Sequence, residues 1–307
     1  MNKSNKSTSQ PLNHSTLQLL MALPSEKNSR IIIEPNRSWW YIDWQGLLHY
    51  RDLLYLLVRR DFVSKYKQTV LGPLWFIIQP VLMAVVFTVI FGNIAKIPTD
   101  GTPPMLFYLC GLLGWTYFAN CFTGTSNSFL ANAGIFGKVY FPRLIPPLSV
   151  IISNLLAFGI QLATFLAFYI YFKFFTAAGA TFQSNLFLMV LPLILLQTAV
   201  FSFGVGLWMS TLTAKYRDLT FLTGFLIQVW MYATPVIYPS SIIPDKWRLI
   251  LMLNPMAPIV ESYKYAFLGT GSLNLGYLMI SAVITVIVLF TGILIFNKVE
   301  RTFIDYV

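Results

Sequence analysis

The sequence contains very little charge for its length. Of its 307 residues only 10% are Asp, Glu, Lys or Arg, whereas 56% are hydrophobic and the mean hydropathy is +0.66. A soluble domain carries about 25% charged residues. So little charge cannot coat a globule of this size, which excludes a typical soluble enzyme, a disordered protein and a nucleic-acid-binding domain. A polytopic membrane protein is the class that remains.

The sequence also lacks the residues of a metal site and the motif of a nucleotide site. Its two cysteines, Cys110 and Cys121, fall in one predicted span, roughly 16 Å apart along the helix axis, so they cannot pair within one chain. Its two histidines, His14 and His49, have no neighbouring Cys or acidic cluster, so we expect no metal. The nearest P-loop match, 134–138, is two residues too short and no Ser or Thr follows its Lys.

Six long runs without a charged residue take up most of the chain. Each run exceeds the roughly 20 residues that a helix needs to cross about 30 Å of hydrocarbon. The runs are too continuous for the alternating pattern of an outer-membrane barrel. The sequence therefore predicts an all-α polytopic membrane protein with six transmembrane helices, at about 71–94, 105–130, 148–171, 186–211, 219–237 and 275–296.

The region between the fifth and sixth predicted spans, 239–271, has a different pattern. Its apolar pieces are only about five residues long, and Asn254-Pro255 separates them. Pieces this short cannot cross a bilayer. We predict a re-entrant pair of short helices that enters the outer leaflet and returns, with Pro235, Pro239, Asn254 and Pro255 at an outer gate. The alternative is a loop that lies on the membrane surface.

The N-terminal part of the chain is polar. Residues 1–37 are predicted to form a flexible cytoplasmic tail. Residues 38–70 form a cytoplasmic interface segment whose part from 47 to 60 has the pattern of an amphipathic helix. Residues 71–307 form the six-helix domain with a cytoplasmic C-terminal tail. With six spans, 16 of the 21 Lys and Arg lie on the side of the termini, so the positive-inside rule places both termini in the cytoplasm.

The six predicted spans contain no ionisable residue, which argues against a proton-coupled transporter. Aromatic residues, in contrast, make up 16% of the chain. Their faces stack on sugar rings and tolerate sliding, which suits a channel for a polymer. Packing or lipid contact is the alternative role for any one of them. The candidates for a substrate channel are Trp75, Phe91, Trp115, Tyr117, Phe118, Trp230, Tyr232 and Tyr238.

Several short motifs occur in a characteristic order. Arg60-Asp61 precedes Lys65-Tyr66-Lys67, Leu71-Gly72, Trp75 and Pro80, and these are followed by 138–143, 216–218, 234–239 with 254–256, and 299–303. Over about 47–307 the sequence resembles the permease subunits of ABC exporters (ABC-2 type) for bacterial surface polysaccharides such as O-antigen, capsule and teichoic acid. The long N-terminal tail departs from that pattern.

The resemblance implies a homodimer with two copies of a separate ATPase subunit, on which ATP and Mg would be bound, and no cofactor in this chain. It implies export of a lipid-linked glycan across the bacterial cytoplasmic (inner) membrane. We predict ATPase coupling at Arg59, Arg60, Asp61, Lys138, Tyr140 and Arg143. Headgroup binding is the alternative for the basic residues.

Two other functions stay open at this point. The first is a membrane-embedded transferase acting on lipid-linked glycans. Its acidic groups could only be Asp61, Asp218 or Glu300, each of which stands next to an Arg in the sequence. The second is a passive channel.

Overall fold

The computed structural model describes residues 44–65, 67, 69–136, 141–176, 179, 185–271 and 273–300, all within the unit Trp39–Val307. Every regular element in these ranges is a helix. Eleven α-helices are described, in the order α1 Trp44–His49, α2 Arg51–Ser64, α3 Trp75–Phe87, α4 Pro104–Ser126, α5 Ser128–Phe136, α6 Ile145–Phe175, α7 Leu191–Lys215, α8 Leu219–Tyr232, α9 Asp245–Met252, α10 Met256–Leu268 and α11 Leu275–Glu300. The prediction of an all-α protein is confirmed for this part of the chain.

Five helical stretches of the described chain are long and apolar enough to cross a membrane. Short 3₁₀ or π segments extend two of them. The π segment Thr88–Ile94 continues α3, and the 3₁₀ segment Leu186–Val190 precedes α7. The five stretches are Gly72–Ile94, Pro104–Ser126, Ile145–Phe175, Leu186–Lys215 and Leu275–Val299. The molecule is thus a multi-pass membrane protein.

The helix at the fifth predicted span is shorter than expected. α8 ends at Tyr232 and has 14 residues, so it is about 21 Å long, less than a hydrocarbon core. Pro235 accounts for this end, because proline has no N–H to donate and disfavours helical geometry at the residue before it. Residues 233–238 form turns and bends, and α9 and α10 follow.

Two further boundaries differ from the predicted spans. The predicted span 105–130 is divided, because α4 ends at Ser126 and α5 begins at Ser128. The third predicted span begins earlier than expected, since Pro146 and Pro147 lie in the first turn of α6. The first turn tolerates proline because its N–H groups have no partner inside the helix.

α4 lies at the centre of the bundle. In its most apolar 18 residues 78% are buried, compared with 11% for Gly72–Ile94. It packs against α3, α6, α7 and α10, and α7 packs against α11. The latter two backbones approach closely, since a Cβ on Gly204 would lie 2.8 Å from the backbone nitrogen of Leu289. Small residues permit such contacts between membrane helices.

The predicted amphipathic helix is present as two helices, α1 and α2. Leu57 of α2 is buried against Phe141 and Ile145, which precede and begin α6. Leu53 and Leu54 pack on the same cluster. The apolar face of α2 is therefore covered by protein at this cluster, which attaches the interface segment to the bundle.

Candidate functional site

Arg60 and Asp61, two of the predicted coupling residues, connect three helices. The Arg60 guanidinium donates to Oδ1 of Asp61 at 2.8 Å and to Oδ1 of Asn132 on α5 at 3.0 Å. Ser149 on α6 donates from Oγ to Oδ2 of Asp61 at 2.8 Å. Charge-assisted bonds of this kind are stronger than neutral ones. The pair therefore fixes the position of α2 against α5 and α6.

The other coupling candidates have different surroundings. Arg59 is exposed. The Arg143 guanidinium lies 5.7 Å from the ring centre of Phe136, the last residue of α5. Lys138 and Tyr140 lie outside the described residues. All six remain predictions as coupling residues.

Three of the eight channel candidates lie in the core of this chain. Trp115, Tyr117 and Phe118 on α4 are each less than 5% exposed. Phe118 stacks on Phe201 of α7 at 5.6 Å and meets Trp230 edge-on at 5.1 Å. In this conformation the three side chains pack the protomer.

The remaining channel candidates are more accessible. Trp75 and Tyr232 are 46% and 59% exposed. Phe91, Trp230 and Tyr238 are half-buried. The hydroxyl of Tyr238 donates to the carbonyl oxygen of Tyr232, which places two candidates together where α8 ends. The role of all eight in a channel stays a prediction.

The predicted gate residue Asn254 is the centre of a hydrogen-bond network. Its Oδ1 accepts from the indole N–H of Trp230 at 2.9 Å and from the backbone N–H of Met256 at 3.1 Å. Its Nδ2 donates to the carbonyl oxygen of Ala233 at 3.0 Å and to Oγ1 of Thr234 at 2.9 Å. One amide thus joins the end of α8 to the turn between α9 and α10.

Two of the other gate candidates are also held by side chains. The carbonyl oxygen of Pro255 accepts from Oγ of Ser281 on α11 at 2.8 Å. The carbonyl oxygen of Pro235 accepts from Nζ of Lys264 at 2.6 Å. Pro239 precedes the 3₁₀ turn Ser240–Ile242. Pro235, Asn254 and Pro255 therefore all take part in the hydrogen bonds that connect the α9–α10 pair to its neighbours.

Lys264 on α10 is a buried cation that the sequence reasoning did not select. It is 4% exposed. Besides Pro235, its Nζ contacts the carbonyl oxygens of Val236 at 3.3 Å and Tyr238 at 3.5 Å, and it lies 3.6 Å from the ring centre of Phe107. A lysine in a proline-broken apolar region could have been the signal for it.

Glu261 lies one turn before Lys264 and is 7% exposed. Its Oε1 has no hydrogen-bond partner among the described residues, and it lines a cavity with room for about one water molecule. Burial raises the pKa of Glu261 to about 7 and lowers the pKa of Lys264 to about 7. Asp100, in the loop before α4, lines the same cavity.

Comparison with known proteins identifies the family. A family model described as ABC-2 type transporter matches residues 52–268. The chain belongs to the ABC-2 type transporter family. This ABC-2 protein is 32% identical over 254 residues to the O-antigen export system permease protein RfbA of Klebsiella pneumoniae, covering 83% of this chain and 94% of that relative.

Two further relatives are more distant. The O-antigen export system permease protein RfbA of Myxococcus xanthus is 28% identical over 261 residues, covering 84% of this chain and 96% of its own. The polysialic acid transport protein KpsM of Escherichia coli is 24% identical over 250 residues, with 80% and 92% covered. All three relatives match over most of their length.

Family membership decides which part of a transporter this ABC-2 protein represents. It is the membrane-embedded permease subunit, and hydrolysis of ATP belongs to a separate ATPase subunit. The matched region includes α3 to α10 and with them the Asn254 network and Lys264. The candidate gate therefore lies within the region that the family model matches.

Proposed function

We propose that this ABC-2 permease exports a lipid-linked surface polysaccharide across the bacterial inner membrane. The observation that carries the proposal is the similarity over 80% or more of the chain to permeases named for O-antigen and polysialic acid transport. The many aromatic side chains support it, because their faces suit sugar rings.

The working unit in this proposal is a homodimer with two ATPase subunits that bind ATP and Mg. Large apolar side chains are left uncovered on α3 and on α8, where Phe221 and Phe225 are 86% and 62% exposed. Lipid or a second copy of the chain must cover such faces. We assign the second copy to α8, so that the two copies enclose the channel.

The proposed topology has six crossings, with both termini in the cytoplasm and α8 as the cytoplasmic part of the fifth crossing. The Asn254 turn contacts the end of α8, about 21 Å from the start of that helix. With α8 starting at the cytoplasmic face, the turn therefore lies inside the roughly 30 Å hydrocarbon core and away from the cytoplasm. This position supports a re-entrant α9–α10 pair.

Deletion of the gene in its native host tests this function. We expect loss of surface glycan and accumulation of lipid-linked glycan at the inner face of the membrane. Expression of the chain together with its ATPase should restore export, and expression with an ATPase unable to hydrolyse ATP should not. Normal surface glycan in the deletion strain would contradict the proposal.

A further inference from the structure

The segment 235–238, between α8 and α9, contains backbone carbonyl groups that no helix satisfies. Val236 and Ile237 are at most 3% exposed, so the segment is buried although it is not helical. A buried carbonyl group without a donor costs free energy, because water is not there to replace the lost bond. These carbonyl groups therefore need donors from elsewhere in the protein.

Lys264 supplies these donors. An ammonium group has three N–H donors, and its Nζ contacts three carbonyl oxygens of the segment, those of Pro235, Val236 and Tyr238. The Phe107 ring lies on Nζ at 3.6 Å and adds a cation–π contact. One side chain of α10 thus contacts three of the four backbone carbonyl groups of the segment that follows α8.

Close packing brings the segment to Lys264. A Cβ on Gly111 of α4 would lie 3.0 Å from the carbonyl oxygen of Val236 and 3.2 Å from Cε of Lys264. Any larger residue at this position would push the segment and the lysine apart. α4, α10 and the segment are therefore in direct contact at Gly111.

We propose that Lys264 is the positioning residue that holds the outer gate shut, by bonding α10 to the segment 235–238. The gate opens when these carbonyl groups leave Nζ. This inference rests on the proposed function, because it takes the α9–α10 pair as the outer gate of the export channel.

The protonation state of Glu261 shifts the equilibrium between the closed and the open gate. Its carboxyl group is buried in the closed gate and lies close to two cations, Lys264 on its own helix and Arg248 on α9. The like charge of Asp100 before α4 opposes its ionisation. The hydroxyl of Tyr238, in the held segment, also faces the carboxyl group. Opening exposes the carboxyl group to water, so an ionised Glu261 favours the open gate.

Accessibility of the segment tests the proposal. A single cysteine replaces Ile237, which is 3% exposed, in a chain whose Cys110 and Cys121 are replaced by alanine. The permease is expressed with its ATPase, and spheroplasts are treated with a membrane-impermeant maleimide. The rate of maleimide labelling at position 237 is divided by the labelling rate of a cysteine that replaces the exposed Ile242. This ratio corrects for differences in the reactivity of the reagent.

We expect Lys264→Met to raise this ratio about tenfold, since a buried hydrogen-bonded group is lost. Lys246→Met, which removes an exposed lysine on α9, is the matched control and should leave the ratio unchanged. Should Lys264→Met fail to accumulate, Lys264→Gln replaces it. Glutamine keeps two donors for three carbonyl groups and should give an intermediate ratio.

A second reporter separates a gate from a general loosening of the fold. Tyr169 on α6 is 8% exposed, and a cysteine there should react equally in Lys264→Met and in the parent chain. An equal rise at both positions, or an unchanged ratio at position 237, would overturn the proposal. Reaction at position 237 only from the cytoplasmic side would instead contradict the topology of the proposed function.

Discussion

At the scale of single residues, polar groups at buried or half-buried positions connect separate elements of this permease. Asn254, Lys264 and Asp61 each hold groups from two or more elements. Buried polar groups are costly unless they are paired, and paired groups of this kind define one arrangement. Changes at these positions should therefore alter coupling or gating more than apolar substitutions of similar size.

Glu261 should make the gate sensitive to outer pH. Its pKa is raised to about 7 in the closed state by burial, from an ordinary value of 4.5. The closed gate thus binds the proton more tightly, so closing is favoured as pH falls from about 7 towards 4.5. Lys264 acts in the opposite sense only near and above pH 7, because its lowered pKa in the closed state is about 7. Below that pH it is protonated whether the gate is closed or open.

Labelling of the Ile237 cysteine, divided by that of the Ile242 cysteine, should accordingly decrease from pH 6.5 to pH 5, a range that lies below the pKa of both Glu261 and Lys264 in the closed gate. Glu261→Gln should give a low ratio that does not change with pH. Lys246→Gln, a charge change on the exposed face of α9, should keep the parent profile. A profile that Glu261→Gln leaves unaltered would assign the titration to another group.

Arg60 and Asp61 should act as one unit in coupling. We expect Arg60→Ala and Asp61→Ala each to reduce glycan-stimulated ATPase activity of the complex. The double variant should lose less than the sum of the two single effects, because both single variants remove the shared Arg60–Asp61 ion pair. Arg51→Ala is the control, since its pair with Asp52 is exposed on the same helix. Unchanged coupling in both single variants would favour headgroup binding for Arg60.

At the scale of elements, α8, α9 and α10 form the least regular part of the bundle. α8 ends at Tyr232, and side chains rather than a continued helix satisfy the chain after it. Broken helices at membrane depth are tolerated where protein buries their free backbone groups. A gate made of such pieces can move without unfolding a complete span.

The depth of the α9–α10 turn gives a prediction for these elements. A cysteine replacing Leu253, which is 53% exposed and next to Asn254, should be protected from an impermeant thiol reagent in inverted vesicles lacking Cys110 and Cys121. A cysteine replacing Ser64, exposed at the end of α2, should react and serves as the positive control. Reaction at position 253 would show two complete crossings in place of a re-entrant pair.

At the scale of the whole molecule, the permease depends on a separate subunit for energy. The purified chain should therefore show no specific ATP turnover, and turnover should require its ATPase subunit. The sequence contains no P-loop, the motif whose backbone amides hold the phosphates. Specific hydrolysis of ATP by the permease alone would contradict its role as a subunit without nucleotide chemistry.

The sequence by itself determined the class of this protein. Composition and run length are local properties, and a bilayer permits only helices or barrels, so an all-α membrane protein followed directly. Proline positions also indicated the irregular region before α11, and the ordered motifs indicated the family. The length of α8 was overestimated, because a hydropathy run continues past Pro235 whereas helical hydrogen bonding does not.

Only the tertiary structure decided which side chains meet. In a span that is apolar on all sides, hydropathy does not distinguish the face that packs in the core from the face that meets lipid. The sequence therefore could not show that Trp115, Tyr117 and Phe118 face the core. The burial of Glu261 and Lys264 depends on α4 packing beside α10, a contact between residues far apart in the chain. The hold of Lys264 on the segment 235–238 exists only once these helices have packed.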